Sequence, residues 1–565
     1  MRASFAPLAS DRLTFVFEGR EIEGRKGETV AAALTAAGIL SIRRTRNGSA
    51  RGLFCGMGVC QDCLVEIDGT SNQRACMTKL EPGMRIAGQE LPRAHRPKAP
   101  ASSIQLPQDC DVLVVGGGPA GLSAAAVAAE AGARVVLVDD RPVPGGQFYK
   151  QPIPELPLPR RQRADVQFSK GRDLIARAKA AGIEIVRGTV LNAALPPAVV
   201  VESEGRAATV RSRRLILATG AFERARPVPG WTLPGVMTTG AAQTLLRSYG
   251  VVAGRRVLIA GNGPLNLQVA LELHRAGATI IALLEAAPRP GLCNLRQLAR
   301  MAISAPALTI DGMRYVAALK AGRIPFLHAA AIDRIEAGDQ LTATLMDGRS
   351  FAADVVCMGY GFLPSNELAR LLGCRHHYDA AAGCLRTTHD ENCRTSIDAV
   401  FAIGDATGLG GARAAEAEGI IAGLTAAIDI GASPSPAALN DAMAARASLG
   451  RQRRFQQALW QLFKPIAELA DGPSAEAIIC RCEEIEARSL EEFVLSGAPI
   501  GSIKRATRLA MGRCQGRYCG PLAVDMLARQ DGRRPSEADF PAPRPPIKPV
   551  PIEVLAGLDE KRDWS

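Results

Sequence analysis

Two sets of four cysteines, one toward each end of a 565-residue chain, limit what this sequence can fold into more than any other feature. The first set is Cys55, Cys60, Cys63 and Cys76, and its first three members are spaced C-x4-C-x2-C. A tight loop carrying Gly56 and Gly58 can turn three thiolates toward one small inorganic core at that spacing. With a later fourth cysteine it is the ligand pattern of a plant-type 2Fe-2S cluster. The second set is Cys480, Cys482, Cys514 and Cys519, spaced C-x-C, 31 residues, C-x4-C. Zinc also accepts four thiolates, so a zinc knuckle is the other reading of this set, although the usual C-x2-C pairs of such knuckles are absent. Eight of the 14 cysteines are thereby expected to be metal ligands. The expected role is movement of electrons between a two-electron organic centre and one-electron carriers.

Between the quartets lie two glycine turns. An apolar strand, Asp111 to Val115, runs into Gly116-Gly117-Gly118-Pro119-Ala120-Gly121 and then an Ala-rich helix. A second apolar strand, Val135 to Val138, ends at Asp139, 23 residues after Gly116. Glycines allow the tight turn and the approach of a pyrophosphate to the positive end of the helix, while Asp139 can take ribose hydroxyls. Thr219-Gly220 after the strand Leu215 to Leu217, and Gly404-Asp405 after Val400 to Ile403, complete a set that resembles the two-dinucleotide-binding-domain flavoproteins, including glutathione and thioredoxin reductases. That resemblance makes Gly116, Gly118, Pro119, Ala120, Gly121, Asp139, Gly146, Gln147, Thr219, Gly220, Gly404 and Asp405 expected FAD contacts. The second turn, Gly261-Asn262-Gly263-Pro264-Leu265-Asn266, puts Asn266 where a third glycine usually stands, and Glu285 ends the next strand. Gly261, Gly263 and Glu285 are therefore candidates for an adenine nucleotide, NAD or ATP, with rapid NAD(P)H chemistry disfavoured.

An absence is equally informative. Disulfide reductases of that type carry a cysteine pair beside the flavin, whereas the segment Pro144-Gly145-Gly146-Gln147-Phe148-Tyr149 has none. Electrons from a flavin must therefore leave by another route, and iron-sulfur centres are the available one. The six remaining cysteines, Cys110, Cys293, Cys357, Cys374, Cys384 and Cys393, read as small buried hydrophobes. His376, His377 and His389 near three of them follow no ligand spacing, and His95, His274 and His328 stand alone. Lys150, Gln147 and Tyr149 can line a flavin face or form a polar loop patch. No catalytic residue is assigned.

The net charge of +12 would suit nucleic acid or an anionic surface, but aromatics are only 4% of residues and no basic run is interleaved with them. No apolar run reaches the roughly 20 residues that span a bilayer. No secretory signal pattern opens the sequence. The expected location is cytoplasmic, including a peripheral position at the inner membrane face, where thiols stay reduced.

Composition shifts divide the chain into an α/β architecture. Expected are a plant-type 2Fe-2S ferredoxin-like domain of β-grasp type (1–96), a Pro/Ala-rich linker (97–108) and a Rossmann-like FAD-binding domain (109–240 and 357–432). An inserted nucleotide-binding domain (241–356) interrupts it. A helical connector (433–475), a small helical C-terminal 2Fe-2S domain (476–530) and a Pro-rich tail (531–565), extended on the surface, follow. The C-terminal block resembles the bacterioferritin-associated ferredoxin module.

From about residue 12 to 552 the chain resembles the large subunit of heteromeric FAD/2Fe-2S amino acid and opine dehydrogenases. That group includes hydrogen cyanide synthase, octopine and nopaline oxidases, and D-hydroxyproline and dye-linked proline dehydrogenases, with more distant similarity to the sarcosine oxidase alpha subunit. The motifs are Gly52-Leu53-Phe54-Cys55-Gly56-Met57-Gly58-Val59-Cys60-Gln61-Asp62-Cys63, Arg74-Ala75-Cys76, Cys480-Arg481-Cys482-Glu483 and Met511 to Gly520. In several relatives the ferredoxin-like piece is a separate gamma subunit; here it is fused in front. The resemblance implies an FAD-dependent partner of the D-amino acid oxidase type and an acceptor that is a quinone or an electron-transfer protein. From the apolar and basic patterns above, no membrane span and no nucleic acid are expected. The expected function is an electron-transfer subunit of an amine or amino acid dehydrogenase. A stand-alone NAD(P)H-dependent reductase and an iron-sulfur redox sensor or scaffold are the alternatives.

Overall fold

The computed structural model describes residues 1–3, 12–89, 106–156, 165–193, 196–466 and 472–558. Most of the expected linker, His95 and the last residues of the tail lie outside them.

Alternation of apolar and polar residues along Arg12–Phe17 buries Leu13, Phe15 and Phe17 on one face. This strand forms a hairpin with Arg20–Arg25 and runs parallel to Arg85–Gly88, which pairs with Leu64–Ile67 and then Thr70–Arg74. The helix Val30–Ala36 packs on this five-stranded mixed sheet with Val30 through Thr35 all buried. Its start is fixed by Thr29, whose side chain accepts the Ala32 N–H. The first cysteine loop hangs between the sheet and the rest of the molecule.

Two largely parallel sheets follow. Strands Glu184–Arg187, Val135–Asp139, Asp109–Val115 and Arg206–Leu217 lie side by side, with Val400–Ala402 against the end of Arg206–Leu217. The Val and Leu runs of Asp109–Val115 and Val135–Asp139 are buried on both faces, as helix-covered parallel strands require. The other sheet is ordered Val236–Thr238, Val355–Gly359, Arg256–Gly261, Thr279–Glu285 and Phe326–His328. Hydrogen bonding thus places Val236–Thr238 and Val355–Gly359 in the inserted unit, so the exchange between sheets falls a few residues outside the expected 241–356 at either end.

The helix Ala412–Asp429 lies against Pro119–Glu130, the helix that leaves the first glycine turn. Contact is this close because the facing residues are small: a Cβ at Gly419 would lie 2.3 Å from the Ala120 carbonyl oxygen, and one at Gly423 would lie 2.4 Å from that of Ala124. The helix Pro436–Leu462, N-capped by Ser435, crosses next to it. Among the described residues, the expected helical connector is helical only to Leu462.

The C-terminal unit is a short hairpin, Ile478–Cys480 with Ile485–Glu486, and the helices Glu491–Leu495, Ile500–Thr507 and Cys519–Gln530. The Pro-rich segment after it has no regular secondary structure from Pro541 to Pro551, and it does not lie on the surface alone. Ile547 is buried among Val115, Val138 and Leu217, its carbonyl accepts from Arg517 at 3.0 Å, and Lys548 pairs with Asp140 at 2.9 Å. The segment is a strap joining the C-terminal unit to the first Rossmann sheet. No helix among the described residues is long and apolar enough to cross a membrane.

The helix contact at Gly423 gives a direct test. Gly423→Val should lower stability by about 1–3 kcal/mol through overpacking, seen as a lower thermal midpoint than that of the unmodified protein.

Candidate cofactor sites

At the first glycine turn the chain passes from Val115 into Gly116, whose φ of +112° is in the region that favours glycine. A Cβ there would lie 2.2 Å from the Ala218 carbonyl oxygen. Gly118 caps the helix Pro119–Glu130 with no side-chain hydrogen bond, leaving the first-turn N–H groups free to meet an anion. Gly146 comes over the turn so closely that a Cβ on it would lie 2.6 Å from the Gly118 Cα. Gly404 approaches from the far side, against Ala120. Its N–H donates to Glu418 at 2.7 Å, and the Asp405 carboxylate accepts the N–H groups of Gly410 and Gly411. Thr219 Oγ1 donates to the Ser365 carbonyl at 2.6 Å, fixing the loop that carries Gly220. Segments separated by almost 290 positions of sequence thus converge on one cleft end, and Gln147 lies in the loop beside it.

Asp139 accepts the N–H of Gly117 and, at 2.7 Å, that of Arg141. Burial, with the neighbouring Asp140 charge, pushes its pKa up to about 6 against those hydrogen bonds. A buried carboxylate that accepts two backbone N–H groups suits a ligand that brings hydroxyl donors, so the residues fit the adenosine half of a dinucleotide. Lys150 is buried, its pKa lowered to about 7 by burial, and its Nζ donates to the Gln147 carbonyl and to Gln243, both at 2.8 Å. Tyr149 donates to Glu416.

The second glycine turn is different. Asn266, in place of a third glycine, donates from Nδ2 to the Gly359 carbonyl at 2.9 Å and accepts from Thr239 at 2.9 Å, stitching two strand ends to a helix. Glu285 accepts from Asn262, the Gly263 N–H and the Ala287 N–H, and burial pushes it up to about 7. A Cβ at Gly263 would lie 3.4 Å from the ring of Trp460. Asn262 also donates to the Phe463 carbonyl at 2.5 Å, and the Ile466 N–H donates to the Ala286 carbonyl at 3.1 Å. The end of the helix Pro436–Leu462 and the residues after it therefore lie across this turn.

Both cysteine quartets are gathered, and each is arranged as two pairs of touching thiols: Cys55 with Cys60 and Cys63 with Cys76, then Cys480 with Cys519 and Cys482 with Cys514. Burial would raise the Cys55 thiol, but hydrogen bonds from the Cys60 thiol and from the N–H groups of Cys60, Met57 and Val59 bring it down to about 6. The Cys482 thiol, opposed by burial, brings Cys514 down to about 7. Such thiols are poised to bind as thiolates. Among the described residues no three His, Cys, Asp or Glu side chains close on one ion position. In the N-terminal quartet, two pairs match a cluster in which each of two irons takes two thiolates. The donor set of the N-terminal loop fits such a cluster.

The two quartets meet across one interface. Arg481, between Cys480 and Cys482, is 5% exposed and forms an ion pair of 2.6 Å with Asp62, which lies between Cys60 and Cys63. Its guanidinium stacks 3.9 Å from the centroid of Phe54 and 4.6 Å from that of Trp231, and it donates to the Trp231 carbonyl at 2.8 Å. Trp231 in turn donates to the Ile478 carbonyl at 2.6 Å. Tyr518, beside Cys519, meets Phe54 edge-on at 5.6 Å and Phe222 of the first Rossmann unit at 5.5 Å. Sequence reasoning missed Asp62, Trp231, Tyr518 and the role of Arg481. All but Trp231 stood inside the quoted motifs, and only their pairing was invisible.

The burial of Glu285 has a measurable consequence. A carboxyl raised from its ordinary value to about 7 is more protonated in the folded than in the unfolded state between these limits. Its contribution is therefore favourable below pH about 4.5 and is lost as pH rises toward 7. In ligand-free protein Glu285→Gln should remove that part of the slope, read from denaturant unfolding of both proteins at about pH 5 and about pH 7.5.

Residues 10–91 match the family model of a 2Fe-2S iron-sulfur cluster binding domain, residues 110–429 that of a pyridine nucleotide-disulphide oxidoreductase, and residues 480–558 that of the sarcosine oxidase A3 domain. An opine oxidase subunit of Agrobacterium tumefaciens (strain Ach5) is 32% identical over 464 residues, covering 79% of this chain and 92% of that protein. Hydrogen cyanide synthase subunit HcnA of Pseudomonas aeruginosa is 45% identical over 80 residues, 14% of this chain and 77% of that protein. The solved structure of L-proline dehydrogenase from P. horikoshii superposes with a TM-score of 0.72 at 21% identity, covering 98% of this chain and 100% of that one, a likeness of fold. The chain is thus an FAD and 2Fe-2S oxidoreductase that belongs to the pyridine nucleotide-disulphide oxidoreductases, in the family of that opine oxidase subunit.

Proposed function

We propose that this chain is the electron-transfer subunit of a heteromeric dehydrogenase acting on an amine or amino acid of opine, D-hydroxyproline or proline type. Its partner is an FAD-dependent catalytic subunit of the D-amino acid oxidase type, and its acceptor is a quinone or an electron-transfer protein. The names of its relatives as subunits support a heteromer. The single observation that carries the reading is the shared interface of the two quartets, with Tyr518 touching both Phe54 and Phe222 of the first Rossmann unit. FAD supplies a centre that takes up two electrons together and releases them singly, and each 2Fe-2S cluster carries one.

The chain's own residues bind and insulate. The N–H groups of Gly118, Ala120 and Gly121 meet the pyrophosphate, Asp139 accepts ribose hydroxyls, and Gly404-Asp405 approach the helix start from the opposite side. Cys55, Cys60, Cys63 and Cys76 hold one cluster, and Cys480, Cys482, Cys514 and Cys519 hold a second in a module of the bacterioferritin-associated ferredoxin kind. Seven of these eight thiols are buried, Cys482 being the half-buried one, which keeps water from the sulfurs and narrows the dielectric in which electrons move. The turn at Gly261 to Gly263, crossed by Trp460, receives no NAD(P)H, which disfavours the stand-alone reductase. A cytoplasmic position, peripheral at the membrane face if the acceptor is a quinone, fits this assignment.

The test is metal analysis and flavin reduction on anaerobically purified full-length protein. Iron and acid-labile sulfide are expected at four per FAD, and NADH or NADPH should leave the oxidised flavin band unbleached in stopped flow. The amine substrate should bleach it once the catalytic subunit is added. Two irons per FAD, or stoichiometric zinc, removes the second cluster. Fast bleaching by NADH in the isolated chain replaces the dehydrogenase subunit with a reductase.

A further inference from the structure

We propose that Arg481 is a positioning residue shared by both quartets, a buried positive charge that docks the C-terminal unit on the N-terminal one and raises the reduction potential of both clusters together. The inference rests on the two-cluster reading above. It is carried by a juxtaposition: Arg481 stands in sequence between Cys480 and Cys482, and its guanidinium is ion-paired to Asp62, which stands between Cys60 and Cys63. Water is largely excluded from it: Arg481 is 5% exposed, and Phe54 and Trp231, in edge-on contact with each other, both lie against its guanidinium. A charge in such surroundings acts over longer distances than one in water, because little solvent reorients to cancel it.

Neighbouring charges do not cancel it. Asp62 also receives Arg43 at 3.2 Å, and Arg51 pairs with Glu484 at 2.8 Å, so three guanidinium groups share two carboxylates at this interface. Adding an electron to either cluster makes its surroundings more negative, and an excess positive charge between the two stabilises both reduced forms. The same residue thus sets the level of the pair while leaving the difference between its members to local hydrogen bonds, such as those of Met57, Val59 and Cys60 to the Cys55 sulfur.

The experiment is a redox titration of the full-length chain with its clusters, followed by low-temperature paramagnetic resonance, for the unmodified protein and for Arg481→Gln, Arg481→Lys and Asp62→Asn. Arg481→Gln should lower both cluster midpoints in the same direction, Arg481→Lys should leave them near the original values, and Asp62→Asn should raise both. A shift confined to one cluster, or unchanged midpoints in Arg481→Gln with four irons per FAD retained, overturns the proposal. If Arg481→Gln loses a cluster, the decision falls to Asp62→Asn, where unmoved midpoints overturn it. Faster proteolysis between residues 472 and 477 in Arg481→Gln, with unchanged midpoints, reduces the residue to a docking contact and also overturns it. Two irons per FAD in the unmodified protein instead strikes the two-cluster reading itself.

Discussion

A guanidinium almost without water requires a carboxylate close by, and the pair Arg481–Asp62 joins positions 419 residues apart. Breaking a buried pair by removing one partner typically costs about 3–5 kcal/mol, since the other charge is left stranded. Everything around it is arranged to keep both ends in place. Phe54 and Trp231 both lie against the guanidinium, Trp231 donates to the Ile478 carbonyl, and Arg51 reaches Glu484 nearby. Through this contact the N-terminal sheet, the Rossmann core and the C-terminal helices form one body around two sets of thiols.

The glycine turns and the cysteine spacings are readable because each is a local requirement. A turn that needs φ of +112° at Gly116, or three thiols converging on one loop, leaves a mark within a dozen residues. What cannot be read is non-local. Asp62 and Arg481 sit in plain motifs, but nothing near either one names the other. Trp231 carries no pattern at all. The inserted unit reads a few residues short because its edge strand Val236–Thr238 is only three residues long and is defined by pairing with Val355–Gly359 rather than by its own composition. The Pro-rich segment has no regular element from Pro541 to Pro551, as its composition requires, yet the burial of Ile547 depends on residues of a distant sheet.

The two glycine turns also show how one backbone device can serve two ends. At the first, small residues at Gly146 and Gly404 bring loops near the helix start without filling the space in front of it. At the second, Trp460 and the Phe463 carbonyl fill the corresponding approach, and Asn266 ties the strand ends together. The carboxylates that end the neighbouring strands, Asp139 and Glu285, make the same backbone hydrogen bonds in both places. What separates the two is the chain laid across them.

The long span between the partners of the central ion pair also fixes a sequence of events during synthesis. At the usual pace of translation, about 20 to 80 s separate the appearance of Asp62 from that of Arg481, 419 residues later. During that interval Phe54 and the thiols beside it still lack the cover of Arg481 and Tyr518. The first cysteine loop is therefore open to whatever delivers iron and sulfide while the rest of the protein is still being made, and it closes when the final module arrives.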